Sequence, residues 1–421
     1  SNNQTLSGAT GFDYVIIDKP LGTFTLLSNM TVNQTLTFTA LNAANIITGT
    51  NKVSLSSTGS VSRNSGYIQG NEQRNFAVGS AVSRTFDIGD ATNYTPVNLT
   101  FATVSGAGDV LASTANTDQP QLASSLLNPA KSVNRYWSLT NSGVTFSTYD
   151  ISLNFVAGDL DGAVSTSNLK LGKYNGSWTY PTLGSITSTS VQGTGINSFS
   201  DFALAECLTP LVTITNPSAV CSPSTIDLTS ASITAGSDAG LTFSYWTDAG
   251  ATAALASPNA VSVANTYYIK GTNAAGCFDI KPVVVSFNTS PQITSTPSPI
   301  TQNNDAGNCG AVVTYAAAIA TGTPSPTLSY SQNSGTNFSV GTTNVLVTAT
   351  NSCGSVNSNF NVTIIDNTPP SISFSGIGGT NLSSSFNVSG SGPNNAVNAI
   401  AQQSDGKIII AGSFTSYNGS T

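Results

Sequence analysis

Histidine is absent from this sequence, and charge is scarce. Twelve Lys and Arg and 19 Asp and Glu make up 7% of the chain, against roughly 25% in an average soluble protein. Without histidine, His-based catalytic triads and His-ligated metallohydrolase centres are excluded. No P-loop or dinucleotide-type glycine fingerprint is present. Carboxylates are so sparse that a glycosidase pair would have to be drawn from distant parts of the chain. The chain is therefore expected not to be an enzyme. A net charge of −7 with no cluster of basic residues also argues against nucleic acid, whose phosphates need grouped Lys and Arg. No apolar run reaches ~18 residues, so no membrane span is expected. A signal peptide is missing too, and the opening SNNQTLSG reads as a mature or excised N-terminus.

Ser, Thr, Asn and Gly take the place of the missing charge. Hydrophobic residues still reach 39%, enough to build cores and too many for a disordered chain. At 421 residues the length fits two to four domains. The surface must be rich in hydroxyls and amides, and a trypsin-like protease finds few targets on it, which suits a protein outside the cell. Helix signals are nearly absent. What recurs is alternation of β-branched or aromatic residues with Ser and Thr, as in TVNQTLTFTA, YDISLNFVAG and TNVLVTATN, broken by Gly, Asn and Pro. The fold class is all-β, a series of sandwiches, barrels or solenoids.

The five cysteines are Cys207, Cys221, Cys277, Cys309 and Cys353. None forms a CxxC, and with no histidine a zinc site is not expected. Their spacing suggests one bridge per domain, Cys221 with Cys277 and Cys309 with Cys353. Each would close about 45–57 residues and contribute roughly 4 kcal/mol in the chain-entropy model. Bridges imply an oxidising compartment. Cys207 is left unpaired, bonded outside the chain, or displaces one of these assignments. The alternative is five reduced, buried thiols.

Five segments follow along the chain. Residues 1–75 carry the apolar pairs Leu26/Met30, Leu36/Phe38, Ile46/Ile47 and Val53/Leu55, an irregular repeat that suits a few rungs of a β-solenoid. An ordinary sandwich edge is the alternative. Residues 76–206 read as a β-sandwich, with Tyr136, Trp137, Trp178, Phe199 and Phe202 as core anchors. RTFDIGDATNYTPVNLTF, RYWSLTNSG, LKLGKYNGSWT and NSFSDFALAE resemble a domain of secreted surface proteins of Bacteroidota, in which a solenoid-like segment leads into a sandwich. Residues 207–289, with LTFSYWTDAGATAAL and NTYYIKGTNAAGCFDI, fit an immunoglobulin-like sandwich. Its order Cys221, Trp246, Cys277 is that of a Trp packed on a bridge.

Residues 290–370 resemble a hyalin repeat (HYR) module. The resemblance rests on Cys309 and Gly310 before AVVTY, on SGTNFSVGTTNV, on Cys353, and on the closing Asp366, Pro369 and Pro370. It implies an Ig-like extracellular fold linked to adhesion. The family often has a further Cys near the first strand, where this chain has STPSP, so the Cys309–Cys353 pairing is not forced. Residues 371–421 form a linker and then a segment similar to one delta-60 β-propeller repeat. Its marks are QSDGKIIIAGSF with Asp405, Gly406, Lys407 and Gly412. A propeller needs several such units, so the ring is expected to continue past Thr421.

Two acidic pairs stand close together. Asp159 and Asp161 in GDLDGA are the one candidate for a cofactor, Ca²⁺, through oxygen ligands. A full calcium loop is lacking, and a polar turn is the commoner use of such a stretch. Asp87 and Asp90 in DIGDAT read the same way. The many N-x-[ST] triplets arise by chance in so Asn- and Thr-rich a chain.

The sequence thus points to a non-enzymatic, secreted or cell-surface modular protein, an adhesin or a stalk presenting other domains. Its partners would be glycans or proteins at a cell surface, or copies of itself. Export by a type IX system is implied by the resemblance alone. A second reading is a subunit of an extracellular filament assembled by strand addition, through the hairpin bearing Val397, Ile400, Ile408, Ile409, Ile410 and Phe414. A third is an accessory region of a large secreted hydrolase.

Overall fold

The computed structural model describes residues 3–8, 10–20, 22–41, 44–368, 396–413 and 415. The chain divides into two compact units. One comprises Ser1–Ser295, Ile319–Ser329 and Thr348–Asn357, and the other Thr296–Ala318, Tyr330–Val347 and Ser358–Thr421. Among the described residues the regular structure is strand, with three short 3₁₀ turns.

The first unit opens with parallel rungs. The strands Gln4–Leu6, Phe24–Leu26, Ile46–Ile47, Ile68–Gln69 and Ile88–Gly89 stack into one parallel sheet. On the other side Thr10 pairs with Met30, Met30 with Val53, and Val53 with Glu72, so a rung takes about 20 residues, as a solenoid repeat does. Inward positions fill the coil: Met30, Val32, Leu36, Phe38, Ile46, Val53 and Ile68 are buried. Chain corners are tied by asparagine. Asn29 accepts from the backbone N–H of Lys52, Asn45 from that of Tyr67, and Asn3 from that of Thr23. Asn51, Asn64 and Asn71 donate to the carbonyls of Leu26, Thr39 and Gly49. These amides satisfy corner groups that the ladders leave open, and they explain why Asn is abundant where charge is not. Gly70 is needed at one corner. It has φ +119°, and a Cβ there would meet Thr48 Oγ1 at 2.1 Å.

The sandwich grows from the last rung without a break. One sheet runs Trp178–Thr179, Lys170–Tyr174, Asp201–Cys207, Leu127–Ser142, Gly108–Ala115, Glu72–Phe76, Val53–Leu55, Met30–Phe38, Thr10–Ile17. It changes from antiparallel to parallel at Glu72–Phe76. The boundary expected at 75/76 therefore falls inside a strand. The facing sheet is Gly79–Phe86, Val97–Gly106, Tyr149–Asn154, Ser190–Ile196 and Thr182–Ile186. Phe76, Phe86, Phe101, Trp137, Tyr149 and Phe202 are fully buried between the sheets. Of the five expected anchors, Trp137 and Phe202 are core, and Phe199 stacks on Tyr149 with centroids 4.6 Å apart. Tyr136 and Trp178 are only half-buried. Trp178 belongs to a separate cluster with Leu122, Leu127, Ala203, Ala205, Ala275 and Cys277.

The Ig-like segment has Thr242–Trp246, Asn265–Thr272 and Phe278–Val285 in one antiparallel sheet. Ile226, Leu228, Val261, Tyr267, Ile269, Val283 and Val285 form its core. The strand Phe287–Ser295 crosses the boundary expected at 289/290. Its first residues pair in parallel with Val220–Cys221, and its later residues pair antiparallel with Ile319–Thr323.

In the second unit, Ile300–Asn303 runs parallel to residues 362–365, and Gly310–Val313 pairs with Thr336–Ser339. Ala311, Val313, Phe338, Val345, Val362 and Ile364 are buried there. Val397–Gln402 and Ile408–Gly412 make a hairpin closed by the Asp405–Gly406 turn, with Gly406 at φ +88°. Pro369, Pro370, Phe414 and the boundary at 370/371 lie outside the described residues.

Candidate functional site

The cysteines do not pair as their spacing suggests. Cys207 is bonded to Cys277 and Cys221 to Cys353, each with Cα atoms 5.5 Å apart, and Cys309 is unbridged and exposed. The expected bridges Cys221–Cys277 and Cys309–Cys353 are both absent. The reason lies in where each residue sits. Cys207 ends a central strand of the sandwich. Cys277 follows the Asn273–Gly276 turn at the tip of an Ig-like hairpin, with its N–H held by Asn273 Oδ1 at 3.0 Å. That tip packs on Leu122, Leu127, Ala203 and Ala205 of the sandwich. Cys221 lies on the two-residue strand beside Phe287–Ser295. Cys353 lies in the turn between Gly341–Asn351 and Gly354–Ile365, where Asn351 Oδ1 accepts its N–H at 2.8 Å. Bonding distance, not sequence proximity, selects the partner.

Both bridges therefore join consecutive segments instead of stapling single sandwiches. They close 70 and 132 residues, worth about 4–5 kcal/mol each in the chain-entropy model. Trp246 has no bridge to pack on. It is partly exposed, and its indole N–H donates to Ser244 Oγ at 2.9 Å.

Three of the four paired acids, Asp87, Asp90 and Asp159, are held by arginines. Arg135 is fully buried. Its Nε donates to Asp159 Oδ2 at 2.8 Å and its Nη2 to Asp159 Oδ1 at 3.0 Å, and a further bond goes to Asp90. Asp161 accepts from Ser132 N at 2.8 Å and from Asn134 Nδ2 at 2.7 Å. The oxygens proposed for Ca²⁺ thus have protein partners, and they face different donors. Among the described residues no group of three or more Cys, Asp or Glu is placed to hold a metal ion.

Asp87 and Asp90 close the joint between coil and sandwich. Asp87 takes Arg74 Nη2 at 2.9 Å and the Tyr94 hydroxyl at 2.7 Å. Asp90 takes Arg135. Glu72 accepts from the Asp87 N–H and pairs with Arg74. Arg63 lies 3.6 Å over the Tyr94 ring. Burial pushes the Glu72 carboxyl up to about 7, against the pull of Arg74. Burial raises Asp87 as well. At Asp90 burial is outweighed by hydrogen bonds from Arg135, Thr92 and Asn93, which hold its carboxyl below the usual range. Sequence reading missed these clasps because Arg135 lies 45 positions from Asp90 and 24 from Asp159, and nothing local marks Arg74, 13 positions from Asp87, as its partner. A fair signal was available: in a sequence with so few charges, buried strands still carry Arg74 and Arg135.

An open groove of about 610 Å³ is lined by Phe146, Tyr174, Asn175, Asn197, Phe199 and Asp201, among others. Ser138 donates to Asp201 at 2.6 Å. In the hairpin, Val397, Ile400 and Ile409 are exposed, and Ile408 and Ile410 are half-buried.

The pattern of a β-propeller domain of unknown function (DUF5122) matches residues 403–421. The match includes Asp405, Gly406, Lys407 and Gly412, so the C-terminal segment is similar to a propeller family. No curated protein matches the chain. Among solved structures, immunoglobulin domains 1–4 of Sidekick-1 share 12% identity, over 55% of this chain and 82% of that one, at a TM-score of 0.25. Extracellular domains 3–5 of Drosophila OTK share 12%, over 52% and 92%, at 0.24. The insect immune protein hemolin shares 10%, over 62% and 82%, at 0.19. Scores this low carry no argument about role, and the fold rests on the strand pairing above. Among the described residues no helix is long and apolar enough to cross a membrane.

Proposed function

We propose that this chain is a non-enzymatic, extracellular modular protein of the cell surface, serving as a stalk or as an adhesin. One observation carries the reading: both bridges tie one segment to the next, Cys207 to Cys277 and Cys221 to Cys353. Such bonds require an oxidising compartment. They also hold neighbours together where a bare linker would let them swing. The finer assignments go with this reading. Residues 290–370 are a hyalin repeat module, the source is a Bacteroidota-type surface protein exported by a type IX system, and residues 403–421 are a propeller-type repeat. If a glycan is the partner, the groove at Tyr174 and Phe199 offers it ring faces and amide hydrogen bonds.

Antibody labelling of intact cells that make the protein tests the location. Labelling before permeabilisation supports the reading, and labelling only afterwards removes it. Retention on mucin or a glycan array decides for the adhesin, and its failure leaves the stalk.

A filament subunit is the second reading, favoured by the exposed hairpin. Val397, Ile400 and Ile409 are 38%, 50% and 49% exposed, and among the described residues the two strands pair only with each other. Deleting residues 397–421 should then abolish assembly, and intact filaments after deletion rule it out.

A further inference from the structure

The two bridges are interlaced. In chain order the cysteines run 207, 221, 277, 353, and the bonds join the first to the third and the second to the fourth. A pull applied at the two ends of the chain therefore has a short route. It enters the sandwich, whose Asp201–Cys207 strand is anchored by Phe202 and Leu204 in the core. It passes through the stretch from position 207 to position 221, crosses the Cys221–Cys353 bond, and leaves along Gly354–Ile365. The buried residues of the Ig-like core, from Ile226 to Val285, lie off that route, while Ile214 and Val220, which pack against that core, lie on it.

We propose that the interlaced bridges form a tension bypass, so that the Ig-like core from Ile226 to Val285 carries no load while the stretch from position 207 to position 221 bears it. This rests on the surface-stalk reading for its purpose, though not for its existence. The route holds about 14 residues, which extend to ~50 Å at most. The unbridged route from 207 to 353 is about 146 residues, or ~510 Å. The second bridge supplies a reserve. If the Cys221–Cys353 bond is lost, Cys207–Cys277 still shortens the route to the stretch from position 277 to position 353, about 76 residues and ~270 Å. Cys207–Cys277 by itself adds nothing to the limit while the other bond stands.

Single-molecule stretching of the full chain, held at its ends, tests this. Between Cys207 and Cys353 the oxidised protein should span at most ~50 Å when fully extended, and full reductant should raise that limit about tenfold, to ~510 Å. The double variant Cys221→Ser/Cys353→Ser should reach ~270 Å, and Cys207→Ser/Cys277→Ser should stay at ~50 Å. An extended span near ~510 Å before reductant overturns the proposal, as does lengthening of the Cys207→Ser/Cys277→Ser variant. Bridges 221–277 and 309–353 would give about 46 residues of route and ~160 Å, which also overturns it. Should Cys221→Ser/Cys353→Ser fail to fold, the oxidised and reduced wild-type traces still decide. Negative surface labelling would remove the stalk reading and leave these lengths unchanged.

Discussion

The Cα atoms of Cys221 and Cys353 lie 5.5 Å apart, although 132 residues separate them in the chain. The first residue sits on a short strand of the Ig-like segment, and the second in a turn of the segment that follows. Their bond, with that between Cys207 and Cys277, defines how the segments are joined.

Thiol chemistry gives the most direct check. Denatured without reductant, the protein should take up one equivalent of alkylating agent, at Cys309, and five after reduction. Mass spectrometry of a digest should show Cys207 linked to Cys277 and Cys221 linked to Cys353. A peptide joining Cys221 to Cys277 would refute the pairing.

Arg135 faces two carboxylates in the interior. Arg135→Ala leaves Asp90 and Asp159 buried without a counter-charge and should cost about 3–5 kcal/mol in denaturant unfolding. The triple variant Arg135→Met/Asp90→Asn/Asp159→Asn should recover much of that loss. Equal damage from both would mean that charge is not the cause.

Glu72 makes stability pH-dependent. Its carboxyl stands near 7 in the folded protein, against 4.5 for the ordinary group. A raised acid binds its proton more tightly when folded, so its contribution is complete below pH 4.5 and is lost as pH rises through 7. The loss is roughly 3 kcal/mol across that window. Glu72→Gln should flatten the profile between pH 5 and 8. A wild-type profile already flat there would show that Arg74 neutralises the group.

Gly70 tests the coil. Gly70→Ala forces a side chain onto a φ of +119° and onto Thr48 Oγ1, and should cost about 1–3 kcal/mol. Thr48→Ala in the same chain removes the clash but not the backbone cost, so it should rescue only part. Thermal unfolding of the two variants, with Thr48→Ala alone as the reference for the lost bond from the Asn71 N–H to Thr48 Oγ1, separates the terms.

Much of the fold was legible because alternation reports which face is buried. In MTVNQTLTF the inward set is Met30, Val32, Leu36 and Phe38, and in YDISLN it is Tyr149, Ile151 and Leu153. The expected solenoid is present, and it is continuous with the sandwich. Segment boundaries were not legible, because strands such as Glu72–Phe76 and Phe287–Ser295 serve two neighbours at once. Nor were the cysteine partners, which lie 70 and 132 residues apart and are brought together only by tertiary packing. The DIGD stretch looked like a polar turn since Arg135 lies 45 positions beyond Asp90. An acid reveals its role only through its partner, and that partner was set by tertiary packing.

The asparagine corners of the coil have a consequence for the surroundings this protein can tolerate. Asn3, Asn29, Asn45, Asn51, Asn64 and Asn71 tie rung to rung through neutral carboxamides. Dissolved ions screen charges and leave such bonds untouched, and a carboxamide neither gains nor loses a proton in ordinary water. The coil's corners should hold as well in brine as in fresh water, and as well in acid as at neutrality.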